Sequence, residues 1–168
     1  MKLLIIRHGA AMDQDEFAKT DQSDDLRPLT ADGKREMKRV AKGLRKEVDE
    51  IDVLATSPLV RAAQTAEIVA EAYGMAITET TDSLVPEARV EEFAHWCRAF
   101  RDKDTVAVVG HEPHLSSLAT WLLSGKKESR IRLKKGGACL IEFDSDARHD
   151  SGTLNWLLTP RQLAEKTG

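Results

Sequence analysis

Three short segments carry the residue types that anion chemistry requires: Arg7-His8-Gly9, Ser57-Pro58-Leu59-Val60-Arg61 and Gly110-His111-Glu112-Pro113. Arginine stays cationic, and its planar fork binds phosphoryl oxygens bidentately. A neutral histidine nitrogen can attack phosphorus and carry the group covalently. It does so if neighbouring cations hold its pKa down and an acceptor fixes its other ring nitrogen. Arg7, Arg61, His8 and His111 in one pocket would therefore make an oxyanion site, with phosphate the obvious ligand. His111 and His114 stand three apart but have no carboxylate or thiolate cluster beside them, so no metal is expected.

These segments meet only if the elements before them end at one edge of a sheet. Apolar runs rich in β-branched residues predict strands at Leu3–Ile6, Val53–Thr56, Met75–Thr78, Thr105–Val109, Ala138–Phe143 and Leu154–Leu158. Helical periodicity lies between the first four. Thr30 reads as the N-cap of a helix over Ala31–Val48, and Ser57-Pro58 reads as the cap and first residue of a second, ending near Gly74. A third is expected over Pro86–Phe100 and a fourth from Pro113 to Gly125. Alternating strands and helices predict an α/β fold: one domain over residues 1–168, a three-layer α/β/α sandwich whose mostly parallel sheet carries an antiparallel edge element. In such sheets ligands bind at the carboxyl ends of the strands, where helix N-termini attract anions.

Composition narrows the class. With 25 basic and 28 acidic side chains the net charge is -3, so no nucleic-acid partner is expected. The apolar run at the first residues is too short for a signal peptide or a membrane span, which predicts a cytoplasmic protein without a membrane partner. Cys97 and Cys139 read as buried thiols. The acidic run from Asp13 to Asp25 reads as a solvated loop, and Arg130, Arg132, Lys134 and Lys135 as one charged face of an edge segment. Trp121 and Trp156 are assigned to the core, His114 to a structural or rim position, and His95 and His149 away from any site.

Ile5-Ile6-Arg7-His8-Gly9, the stretch from Ser57 to Ala66 and Val109-Gly110-His111-Glu112-Pro113, in this order, resemble the histidine phosphatase superfamily and its phosphoglycerate mutase-like fold. The segment Arg27-Pro28-Leu29-Thr30-Ala31-Asp32-Gly33 and the stretch from Trp156 to Arg161 resemble the bacterial phosphohistidine phosphatases that act on phosphorelay proteins. The resemblance spans nearly the whole chain. It implies a signal-transduction hydrolase in which His8 is phosphorylated, Arg7 and Arg61 grip the phosphoryl oxygens and His111 stabilises the transferring group from the opposite side, with no metal or other cofactor. The chain departs from the wider family at Ala10 and Ala11, where many members carry a polar or acidic residue. It also lacks the insertion that gives mutases a carboxylic acid, leaving Glu87 as the acid candidate. The expected partner is a protein carrying phosphohistidine. A small phosphate ester and a non-catalytic phosphate-binding module are the alternatives, and the oligomeric state is left open.

Overall fold

The computed structural model describes residues 1–167. Its strands are β1 (Lys2–Arg7), β2 (Val53–Thr56), β3 (Glu79–Thr80), β4 (Thr105–Gly110), β5 (Ala138–Glu142) and β6 (Thr153–Leu158), and its helices are α1 (Gln14–Ala18), α2 (Ala31–Glu47), α3 (Val60–Tyr73), α4 (Val90–Cys97), α5 (His114–Ser124) and α6 (Pro160–Glu165). The six strands form one sheet in the order β3-β2-β4-β1-β5-β6. β1 to β4 run parallel, and β5 and β6 add an antiparallel edge. This is the mixed α/β architecture expected from the sequence.

The strands are apolar on both faces because both are covered. Leu3, Ile5, Val106 and Val108 pack with Phe93 and Cys97 of α4 and with Leu115, Leu118 and Trp121 of α5. Their alternating neighbours Leu4, Ile6, Ala107 and Val109 pack with Met37, Val40 and Leu44 of α2, Ala62 and Val69 of α3, and Leu163 of α6. The two-residue period of a strand thus divides one apolar run between two layers.

Local chemistry explains the departures from the sequence reading. The run Met75–Thr78 is not a strand; only Glu79–Thr80 pairs with β2, while Met75 and Ile77 lie half-buried against the α2–α3 layer. α4 begins at Val90, four residues later than expected, and leaves Pro86 and Glu87 in a turn. The acidic run is solvated, with Asp13, Asp15, Glu16, Asp21 and Asp25 exposed, but it is not a loop throughout. Asp13 caps α1, Ser23 caps a single turn over Asp24–Leu26, and Phe17 is buried beneath them. Arg130 to Lys135 lie outside the sheet rather than along its edge, with Leu133 buried. Trp121 is in the core, whereas Trp156 is half-buried on β6. α6 was not anticipated.

α2 is fixed at both ends by glycines. Thr30 accepts the Gly33 N–H at 2.9 Å, and a Cβ on Gly33 would lie 2.1 Å from the Ala10 carbonyl oxygen. A Cβ on Gly43 would lie 1.9 Å from the Leu163 carbonyl oxygen of α6. Alanine gains up to about 1 kcal/mol of helix propensity over glycine, but forcing backbones apart costs about 1–3 kcal/mol. The clash wins. Gly43→Ala is expected to lower the thermal midpoint, by roughly 2–4 °C per kcal/mol lost, while leaving anion binding intact. Gly33→Ala, which displaces the backbone two residues beyond His8, is expected to lower both. Calorimetry and vanadate titration of the two variants separate these outcomes, and unchanged melting of Gly43→Ala would refute the packing argument.

Candidate active site

Parallel register brings the three sequence segments together. In the β1–β4 ladder Arg7 stands opposite Gly110, so the next residues, His8 and His111, emerge side by side with ring centroids 5.1 Å apart. In the β2–β4 ladder Thr56 stands opposite Val109, which sets Ser57 beside them. Two backbone bonds lock the strand ends, His8 N–H to Gly110 O at 3.1 Å and Ser57 N–H to Val109 O at 3.0 Å. A third comes from α3: Gly9 N–H donates to Thr65 Oγ1 at 3.0 Å, and that hydroxyl donates to Arg61 O at 2.8 Å. One threonine thereby ties the His8 loop to the helix turn that carries Arg61.

The cleft above these strand ends has a volume of about 610 Å³, and Arg7, His8, Arg61 and His111 all line it. His8, Arg61 and His111 are almost wholly buried, at 5%, 5% and 2% exposure. His8 Nδ1 lies 2.7 Å from the Gly9 carbonyl oxygen. A carbonyl only accepts, so Nδ1 carries the proton and Nε2 keeps its lone pair. Burial, and then the charges of Arg61, Arg7 and Lys135, lower the His8 pKa from 6.5 to about 4, against the raising effect of the Gly9 bond. The ring is therefore neutral near pH 7. His111 is lowered to about 3, chiefly by burial and then by its neighbours His8 and Arg61.

Each arginine is anchored by part of its fork. Arg7 donates through Nη1 to Leu133 O at 2.9 Å, and Arg61 donates through Nη1 to Asp24 O at 3.1 Å. The Nε atoms of both are buried and have no partner among the described residues. Buried donors are costly to leave unsatisfied, and an oxyanion in the cleft is what two guanidinium groups could share. Burial lowers the pKa of both, which remain cations.

Four further residues shape the cleft in ways the sequence reading missed. Ser57 does not cap α3, whose N-cap is Leu59; its hydroxyl lies 2.8 Å from His111 Nε2. Its place after a strand in the same segment as Arg61 was the available signal. Lys135, read as surface charge, lines the cleft. Arg27 and Asp24 also line it, joined Nε to Oδ1 at 2.8 Å, and Asp24 Oδ2 reaches to 3.3 Å from Arg61 Nη2. The Arg27 hydrogen bond, with the Arg61 charge, holds Asp24 below the usual carboxylate range. Glu87 is exposed at the rim, and Glu112 is engaged by the N–H and hydroxyl of Ser116. His114 is buried with both ring nitrogens unpartnered among the described residues, while His95 is exposed. No group of three or more His, Cys, Asp or Glu among the described residues could hold a metal ion.

Two consequences are measurable. Asp24 presents a carboxylate to the arginine that an oxyanion would use, so Asp24→Asn is expected to tighten vanadate binding by roughly threefold or more at low salt; weaker binding would make Asp24 a support for Arg61 instead. Burial, the largest cause for each, lowers His8, His111 and His114 from 6.5 to about 4, 3 and 4. As pH falls below 6.5 the unfolded chain takes up protons that the folded protein refuses, so stability drops until the folded values are reached. His114→Leu removes one such group away from the cleft. Its melting temperature should fall less than wild type's between about pH 7 and about pH 4.5, and parallel curves would rule His114 out as a contributor.

The family profile described as the histidine phosphatase superfamily (branch 1) matches residues 3–84. An uncharacterized protein of Picosynechococcus sp. is 33% identical over 169 residues, covering 97% of this chain and 99% of its own. The phosphohistidine phosphatase SixA of Escherichia coli (strain K12) is 29% identical over 167 residues, covering 97% and 96%. The solved structure of the protein histidine phosphatase SixA complexed with tungstate superimposes with a TM-score of 0.82 at 28% identity, covering 97% of this chain and 99% of that one. The alpha-ribazole phosphatase from Shigella flexneri, at a TM-score of 0.74, 20% identity and coverage of 95% and 97%, shares the fold.

Proposed function

This chain belongs to the histidine phosphatase superfamily, and from that premise we propose that it is a cytoplasmic phosphohistidine phosphatase, one catalytic domain over residues 1–168, working through a covalent phospho-His8 intermediate. The observation that carries this reading is the state of His8: neutral, with Nδ1 held on the Gly9 carbonyl, beside two guanidinium groups whose buried Nε donors are unsatisfied among the described residues. The buried free thiols Cys97 and Cys139 suit a reducing compartment.

In the first step His8 Nε2 forms a bond to phosphorus as the substrate's P–N bond breaks. Arg7 and Arg61 hold the equatorial oxygens, and His111, fixed by Ser57, supports the transferring group. The departing nitrogen leaves with its electron pair as a neutral imidazole, provided the phosphohistidine ring was already protonated. Water then attacks phosphorus, the P–Nε2 bond breaks, and inorganic phosphate leaves with His8 restored.

The carboxylates favour a phosphoramidate. An alkyl phosphate expels an alkoxide unless an acid protonates it, whereas imidazole's conjugate acid has a pKa of about 6.5. Asp24 is committed to Arg27 and Arg61, and Glu112 to Ser116. Glu87, exposed at the cleft rim, supports a second reading in which it protonates the leaving group of a small phosphate ester.

Kinetics separate the two. We expect higher kcat/KM on a phosphohistidine protein than on sugar or glycerate phosphates, a modest effect of Glu87→Gln on the former, and activity that survives chelation. Rapid quench with labelled substrate should trap acid-labile, base-stable phosphate in wild type and none in His8→Ala, which should be inactive. Superior turnover of a sugar phosphate, destroyed by Glu87→Gln, would establish the second reading. Retained turnover in His8→Ala would sink the covalent mechanism.

A further inference from the structure

α2 concentrates positive charge to a degree that the net charge of -3 conceals. Lys34, Lys38, Lys42 and Lys46 recur every fourth residue, with Arg35, Arg39 and Arg45 beside them, and all seven are exposed. They amount to seven of the chain's 25 basic side chains on a helix of 17 residues. Like charges four apart on a helix repel, and the helix does little to neutralise them. Asp32 pairs with Arg35, Glu47 pairs with Lys166, and Glu36 lies beside Gly136. Arg45 donates to the Ala72 carbonyl and lies over the Tyr73 ring, and Lys46 bonds the Lys166 carbonyl. Lys34, Lys38, Arg39 and Lys42 have no ion-pair partner among the described residues.

This charge borders a groove of about 620 Å³ between α2 and α3. Lys38, Lys42, Arg45 and Lys46 form one wall, and Ile68 and Ala72, with the single acid Glu71, form the other. The lysine row also starts beside the loop that follows His8. Gly33 abuts Ala10, two residues beyond His8, and Lys34 follows it. From Lys34 to Lys46 the row extends about 18 Å at 1.5 Å per residue, well within the span of a small domain.

We propose that this face docks an acidic helix of the phosphoprotein substrate, whose carboxylates meet the lysine row while an apolar side chain rests on Ile68 and Ala72. The inference rests on phosphohistidine being carried by a protein. A basic wall facing an apolar one fits an amphipathic acidic helix. A nucleic-acid backbone offers anions along a strand but no apolar group for that wall, and a lipid surface spreads its anions over a plane rather than along one row. Docking of this kind acts through encounter and affinity, so it should appear in KM and in salt dependence while the chemical step is untouched.

The test uses the full-length protein and the exposed pair Lys38→Glu/Lys42→Glu. Two substrates are compared: an acidic, histidine-phosphorylated phosphotransfer domain and free phosphoimidazole. Reversing two charges is expected to raise KM for the domain by about tenfold or more, with kcat and the phosphoimidazole kinetics within about twofold, and to flatten the wild type's loss of efficiency between about 50 and about 300 mM salt. Calorimetric titration of His8→Ala with the phosphorylated domain, with and without the charge reversal, should show the same loss of affinity without turnover. Equal losses on both substrates would mean that α2 acts on the site, and unchanged KM and affinity would mean that the face is merely solvated; either overturns the proposal. Tighter binding of phosphatidylserine vesicles or duplex DNA than of the acidic domain overturns it in favour of those partners. If phosphoimidazole is hydrolysed and the domain neither binds nor reacts, docking fails while the chemistry stands. If neither is hydrolysed but lysine-dependent binding persists, docking stands and the phosphatase reading fails.

Discussion

The parallel pairing of β1 and β2 on either side of β4 is the constraint on which the site depends. Hydrogen-bonded register ends the three strands at one level, so that Ser57, His111 and His8 emerge as neighbours. A slip of one residue in either ladder would also exchange the faces of alternating side chains such as Leu4 and Ile5, moving each from one helical layer to the other. Core packing and site geometry are therefore enforced by the same register. Rigid strand ends also suit chemistry that needs two rings held at a fixed separation.

Burial supplies the reactivity. His8 and His111 sit in a desolvated cleft beside two guanidinium groups, and desolvation is the largest cause of both low histidine pKa values. The protein thus carries neutral nitrogen and permanent cation side by side. The arrangement holds because arginine remains charged under a burial that keeps histidine neutral. Asp24 offsets some of the concentrated charge through Arg27 and Arg61.

Charge is also distributed on a larger scale. The acidic segment around α1 stands at the cleft mouth, whereas α2, which leads away from the same loop, is strongly basic. A near-balanced total therefore hides two surfaces of opposite sign within about 34 consecutive residues. Net charge alone is a poor guide to partners in such a chain, because an approaching molecule meets a local field within about a Debye length of the surface.

Residue types and local spacing were legible in the sequence. The α/β alternation, the Thr30 cap and the antiparallel edge follow from short-range pattern, because caps, periodicity and strand ends are set by neighbours in the chain, whereas Arg61 is singled out chiefly by the family resemblance. What only the tertiary structure decided is adjacency. Strand order placed β4 between β1 and β2, and so brought Ser57 to His111 across 54 positions of sequence. Asp24 reached Arg61 from a segment that reads as solvated loop, Lys135 entered the cleft from a run that reads as surface charge, and Met75–Thr78 lost its strand to a two-residue pairing farther on. Each of these depends on long-range packing, which can override a local preference worth only a fraction of a kcal/mol per residue, roughly 0–0.7 for ordinary residues in helices and about 1 across the whole β scale.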